Sequence, residues 1–176
     1  MKILILNPIL YTADNNTIPK VKSIKDTMIY NMCLGFKSLG HDVTLAAAAD
    51  YKPVEFEEYE FDVKWLKTEC HKLCPPSVLP YSKELNTFLK ENSANFDMVV
   101  TSEIFSLWSF AATRICPEKT VIWHELALHP NKFHQLPSKV WYHFVAKHLM
   151  NKVLVVPRSE DAKFFVKQYM QHVTDV

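Results

Sequence analysis

Lys2-Ile3-Leu4-Ile5-Leu6, a helical stretch from Asp26 to Leu39, and Val43-Thr44-Leu45-Ala46-Ala47 together decide the fold of this chain. The first run is short and apolar throughout, the pattern of a buried strand. From Asp26 the apolar side chains Ile29, Met32, Cys33, Phe36 and Leu39 recur at helical period, with Asp26 placed to cap the start. Gly40 stands where a left-handed residue closes a helix, and 43–47 reads as a second strand. Two parallel strands joined by a crossover helix follow, the opening of a Rossmann-like α/β domain. Yet the turn after the first strand is Asn7-Pro8-Ile9-Leu10-Tyr11, with no G-x-G-x-x-G, and the nearest glycine is Gly35 inside the helix. A dinucleotide pyrophosphate needs bare backbone at that turn. This chain does not offer it.

Strand and helix signals go on alternating. A third strand is predicted over 61–66 at the sheet edge, and a helix capped by Ser82 runs to Asn92 with Leu85, Phe88 and Leu89 inward. A fourth strand spans 98–101, a helix 103–115, and a short fifth strand 120–123. Pro137 and Ser138 begin a helix whose inner face reads Trp141, Phe144, Val145, His148 and Leu149. A sixth strand covers 153–156, and Ser159 caps a last helix with Glu160 and Asp161 in its first turn. No repeat or linker divides the chain, so the expectation is one domain over 1–176: a three-layer α/β/α sandwich around a mostly parallel sheet.

Composition narrows the function classes. With 176 residues the chain can bury a substantial core, and 48% hydrophobic and 22% charged residues suit a globular protein. The net charge of +1 gives no whole-molecule signal for nucleic acid. MKILIL is too short for a signal-peptide core and no apolar run is long enough to span a membrane, so a cytoplasmic setting is expected. Cys33 and Cys116 lie in apolar segments and read as buried thiols. Cys70, His71 and Cys74 lack the second ligand pair of a structural zinc site, so no metal is expected there. The acidic run Glu55, Glu57, Glu58 and Glu60 reads as a solvated face.

Ligands of open parallel sheets bind beyond the carboxyl ends of the strands. That rule selects Asn7, Pro8 and Tyr11 after the first strand, and Thr101, Ser102 and Glu103 after the fourth. It adds His124 and Glu125 after the fifth and Pro157, Arg158 and Ser159 after the sixth. The stretch 12–25 adds hydrogen-bonding groups beside this rim without regular structure. His124 is the leading candidate, against the alternative that it only hydrogen-bonds a loop. Glu125 offers a hydroxyl-binding group or an acid or base, but a structural cap is the more expected role. Glu103 has the same ambiguity, because it also stands where the next helix begins. The 137–149 helix, with Lys139, Lys147 and Lys152 beside its aromatics, reads as core with a wet lysine face rather than a membrane-binding surface.

Four segments carry a resemblance. Ser38-Leu39-Gly40-His41-Asp42-Val43-Thr44 resembles the L-x-x-x-G-H-x-V-T signature of family-4 GT-B glycosyltransferases, and Phe96-Asp97-Met98-Val99-Val100 resembles their F-D-x-V strand. Val121-Ile122-Trp123-His124-Glu125 resembles the apolar strand ending in His-Asp or His-Glu, and 152–159 the D-x-V-I-x-x-S strand and cap. The resemblance implies the amino-terminal, acceptor-side half of a GT-B enzyme of the hexosyltransferase type. Its partners would be a sugar or lipid-linked glycan acceptor and a nucleotide-sugar donor, with no cofactor and no nucleic acid. It implies bacterial surface polysaccharide or lipopolysaccharide synthesis, with peripheral contact at the inner face of the membrane left open. His124 would position and polarise near the transferred sugar. Asn7, Pro8, Tyr11, Ser102, Glu103, Glu125, Arg158 and Ser159 would line the acceptor cleft. The family's Gly-Gly after strand one is absent, and its carboxy-terminal nucleotide-sugar domain lies outside 1–176, so these residues alone are expected not to transfer sugar. The alternative is a stand-alone Rossmann-like binding or partner module.

Overall fold

A computed structural model describes residues 1–11, 17–129 and 136–176. Six strands, all parallel, form one sheet in the order β3-β2-β1-β4-β5-β6, the arrangement of a Rossmann-like α/β/α fold. The strands are β1 (Lys2–Leu6), β2 (Asp42–Ala48), β3 (Asp62–Leu66), β4 (Met98–Ser102), β5 (Thr120–His124) and β6 (Leu154–Pro157). The helices are α1 (Met28–Ser38), α2 (Lys83–Asn92), α3 (Leu107–Ile115), α4 (Leu136–Val140) and α5 (Glu160–Val166). By its contacts the chain divides into two units, Met1–Val99 and Val100–Val176.

In the first unit, Ile3 to Leu6 are buried on both faces of β1, as an interior parallel strand requires. Each such side chain contributes about 1.5–3 kcal/mol on burial. β1 pairs with β2 from Lys2↔Asp42 to Leu6↔Ala46, and β2 pairs with β3. β3 lies at the edge, as expected, and alternates in burial. α1 starts later than its pattern suggests. Thr27, not Asp26, is the cap: its hydroxyl accepts from Tyr30 N, while the Asp26 carboxylate accepts from the Tyr11 hydroxyl at 2.8 Å. Its buried residues are Ile29, Tyr30 and Cys33, and burial pushes the Cys33 thiol up to about 12. Leu39 falls outside the stripe because the helix stops there. Gly40, at φ +82°, turns the chain as Gly40 N donates to Lys37 O (2.9 Å) and His41 N to Phe36 O (3.2 Å). That pair of bonds is a Schellman closure. Asp97 ties β1 in place, accepting from Lys2 N at 2.7 Å while its own N–H donates to Lys2 O at 2.8 Å.

The acidic segment is more than a solvated face. Glu57 accepts from Ser23 Oγ (2.5 Å) and Ile24 N (3.2 Å), and Glu60 accepts from the Tyr30 hydroxyl. The Glu57 bonds hold the connection before α1, whose Val21 and Ile24 are buried, and the Glu60 bond holds α1 itself. Residues 12–16 of the predicted 12–25 loop lie outside the described residues.

In the second unit, β5 and β6 pair from Val121↔Leu154 to His124↔Pro157, and Val173 bridges to Val155 on β6. The predicted helix over 103–115 begins four residues late. Glu103 has a left-handed backbone (φ +62°), and Ser106 caps α3 by accepting from Ser109 N. Most of the predicted loop over 129–135 lies outside the described residues.

The helix after it departs furthest from its reading. α4 runs on as a π-wound segment, Trp141–Met150. Its buried residues are Tyr142, Ala146 and Met150, in line with buried Ser138 of α4. Those positions fall every four residues, because i→i+5 hydrogen bonding places more residues in each turn than the 3.6 of an α-helix. Part of the expected inner face therefore turns outward: Phe144, His148 and Leu149 are exposed, while Trp141 and Val145 are half-buried and pack on the core. Tyr142, Ala146 and Met150 pack with Ile104, Ile122, Val155, Phe165 and Tyr169 into the core of this unit. No helix of the described residues is long and apolar enough to cross a membrane.

Candidate functional site

Four of the predicted site residues come together in the second unit, at the carboxyl ends of β4, β5 and β6. Glu103 leaves β4 in its left-handed turn, with its N–H donating to Trp123 O at 2.8 Å. A non-glycine residue held there is uncommon. Buried Ser109 supports the turn: its hydroxyl lies 2.8 Å from Ser102 O and 2.6 Å from Glu103 O and donates to these carbonyls. With that single proton committed, the Thr101 hydroxyl donates to Ser109 Oγ across 2.8 Å.

So oriented, the Glu103 carboxylate reaches across to β5. Oε1 accepts from Glu125 N at 2.9 Å, and Oε2 stands 2.8 Å from His124 Nδ1. Ile104 N also approaches Nδ1, at 3.5 Å. The imidazole is fully buried. It stacks on Phe165 (6.0 Å between centroids, 12° between planes) and meets Tyr142 edge-on. The ring thus faces one protein carboxylate at Nδ1, while Nε2 has no partner among the described residues.

β6 completes the cluster. Arg158 N donates to His124 O at 2.9 Å, and its guanidinium donates to Glu125 Oε1 at 2.9 Å. Both side chains are substantially solvent-exposed, so this ion pair stabilises the fold by at most about 1 kcal/mol. What it offers is a carboxylate acceptor and a fork of donors side by side at the surface. Ser159, next in the chain, caps α5 by accepting from Ala162 N at 3.2 Å.

Aromatic side chains pack against the His124 ring and one another, and none of them is among the predicted site residues. His129 packs on Tyr142, Phe165 and Tyr169, and its Nε2 lies 3.1 Å from the Tyr169 hydroxyl. Burial, then nearby Lys139 and His143, lowers the pKa of His129, so the ring resists protonation. Burial first, and the Glu103 charge second, pushes the Tyr142 phenol up. Trp141 Nε1 donates to Ile104 O at 3.0 Å, tying the π-wound segment to the turn that carries Glu103. Ser109 had one signal in sequence: a polar residue within the otherwise apolar run Leu107-Trp108-Ser109-Phe110-Ala111-Ala112.

Asn7, Pro8 and Tyr11 belong to the first unit and are engaged there. Asn7 N donates to Ala46 O and its amide to Ile9 O, while Pro8 O accepts from Ala48 N. Tyr11 donates to Asp26 and to the Ser23 carbonyl, and burial followed by the Asp26 hydrogen bond raises its pKa. In the segment after β3, Cys70 is exposed in a left-handed turn and the His71 ring contacts Thr68. Among the described residues no three His, Cys, Asp or Glu side chains form a metal-binding group. No family model matches this chain, and no curated protein matches it.

Proposed function

We propose that the chain is the acceptor-side domain of a GT-B-type glycosyltransferase, binding a sugar or lipid-linked glycan that receives a sugar from a nucleotide-sugar donor in bacterial surface polysaccharide or lipopolysaccharide synthesis. The observation that carries this reading is the convergence of Glu103, His124, Glu125 and Arg158 at the carboxyl edge of a parallel sheet. Exposed Glu125 and Arg158 supply the acceptor and donors that sugar hydroxyls require. His124 works from beneath as a positioning residue, since its carbonyl holds Arg158 N and its ring abuts the carboxylate that holds Glu125 N. A lipid-linked acceptor would bring the chain to the inner face of the membrane. Donor binding belongs to a second domain, because a site shared between two facing domains gives one of them little catalytic power alone.

Calorimetric titration of residues 1–176 with a glycan panel tests this. Saturable binding is expected, weakened about tenfold by Arg158→Ala, the loss of one charge-assisted contact, and by His124→Ala with the fold checked by urea titration. No sugar turnover is expected from these residues alone with nucleotide-sugars; robust turnover would sink the claim that they need a second domain for transfer. The complete burial of His124 favours one other reading, a binding or partner module without chemistry. That reading predicts no response to any glycan or nucleotide-sugar.

A further inference from the structure

The 136–150 helix turns outward a face that the fold leaves uncovered. Leu136 (64% exposed), Val140 (49%), Phe144 (65%) and Leu149 (47%) stand in solvent. The first three are four residues apart, the same interval that buries Ser138, Tyr142 and Ala146 on the opposite side. Beside them runs an open groove of about 390 Å³ lined by Lys139, Val140, His143, Phe144, Lys147 and His148.

Along the sequence, the stretch that carries this face has charge of one sign, and Lys139 and Lys147 line the groove itself. Residues 126–159 contain no Asp or Glu, yet they carry Lys132, Lys139, Lys147, Lys152 and Arg158. The chain as a whole is nearly balanced, at +1, so the acid-free stretch is a local property that the total conceals. Among the described residues neither Lys139 nor Lys147 has an ion-pair partner.

From these observations we infer that the Leu136-Val140-Phe144 face, with Lys139 and Lys147 at its flank, docks on an anionic lipid surface. Apolar side chains of this size enter the headgroup–acyl boundary, while lysines extend their stems along it and keep their ammonium groups among the lipid phosphates. An acidic polymer such as nucleic acid would use the lysines but leave Leu136 and Val140 without a role, since only aromatic rings stack on bases. The lipid surface uses both halves of the face. The inference rests on this surface and not on sugar transfer, so failure of glycan binding leaves it standing.

Co-sedimentation of the full chain with vesicles of phosphatidylcholine and phosphatidylglycerol in equal parts is the test. Binding is expected to these vesicles and not to phosphatidylcholine alone, and to weaken with added salt. Phe144→Ser and the double change Lys139→Gln/Lys147→Gln should each reduce it about tenfold. These positions are exposed, so the variants should keep the wild-type urea midpoint. Phe56→Ser, at an exposed aromatic of the other unit, should bind as the wild type does. No binding to anionic vesicles would overturn the inference, as would binding that Phe144→Ser leaves intact. Binding to duplex DNA that is as tight as to vesicles and insensitive to Phe144→Ser would assign the face to an anionic polymer instead.

Discussion

α1 and the 136–150 helix have similar apolar content and treat it in opposite ways. α1 begins on the Thr27 cap, keeps Ile29 and Cys33 on one buried side, and ends in a closure built by Gly40. The later helix passes from α into π winding with no side-chain cap at the transition. It buries Tyr142, Ala146 and Met150 and leaves Phe144 and Leu149 outside. The side chains alone do not decide which become core. Backbone winding chooses the face, and the winding is held by tertiary contacts: Trp141 bonded to Ile104 O, and Tyr142 packed among Phe165, Tyr169 and the two imidazoles.

The largest effect that can break this comparison comes from two positions on the π-wound segment. Tyr142→Ala removes a fully buried ring and should cost about 3–5 kcal/mol in urea unfolding. Phe144→Ala, two residues on, should change stability by no more than about 0.5 kcal/mol. A segment wound as an ordinary α-helix with Phe144 inward would reverse the order of the two losses.

A smaller pair of effects sharpens the account of α1. A side chain added at Gly40 meets open space but must adopt φ +82°, so Gly40→Ala should destabilise by about 1–2 kcal/mol. Gly35→Ala also meets open space, but inside a helix, and should stabilise by about 0.5–1 kcal/mol. Equal shifts of the same sign in the thermal midpoint would contradict the closure described for Gly40.

These contrasts show what could be read in advance. The strand Lys2–Leu6, the closing turn at Gly40 and the caps Ser82 and Ser159 depend on local chemistry, and each is where its residues indicated. The rule that ligands gather at strand carboxyl ends selected Glu103, His124, Glu125 and Arg158 as a set, and the fold brings them together. Their arrangement was not legible. Nothing local marks Glu103 as left-handed; its turn is held by Ser109 from a helix farther along and by Trp123 O from the next strand. The segment is π-wound, so a stripe drawn at 3.6 residues per turn put Phe144, His148 and Leu149 inward wrongly, while Trp141 and Val145 do pack on the core. Asp26 lost the cap to its neighbour because Tyr11, fifteen residues earlier, claims its carboxylate.

The smallest expected effect separates the two units by pH. In the second unit, burial first, then nearby Lys139 and His143, hold His129 below its ordinary 6.5. The unfolded chain then binds a proton that the folded one refuses, so this contribution is present above pH 6.5 and lost as pH falls below it. In the first unit, burial pulls the Glu57 carboxyl upward, but hydrogen bonds from Ser23 and Ile24 outweigh it and hold the pKa below 4.5. Its contribution is present above pH 4.5 and lost as pH falls from there through the folded value. Both residues retain solvent contact, so each step should be shallow. Urea midpoints measured from pH 8 to pH 3 should therefore decline in two stages. His129→Phe should remove the upper stage and leave the lower, and Glu57→Gln should do the converse. A single stage abolished by either substitution would mean that one group governs the acid response of the whole chain.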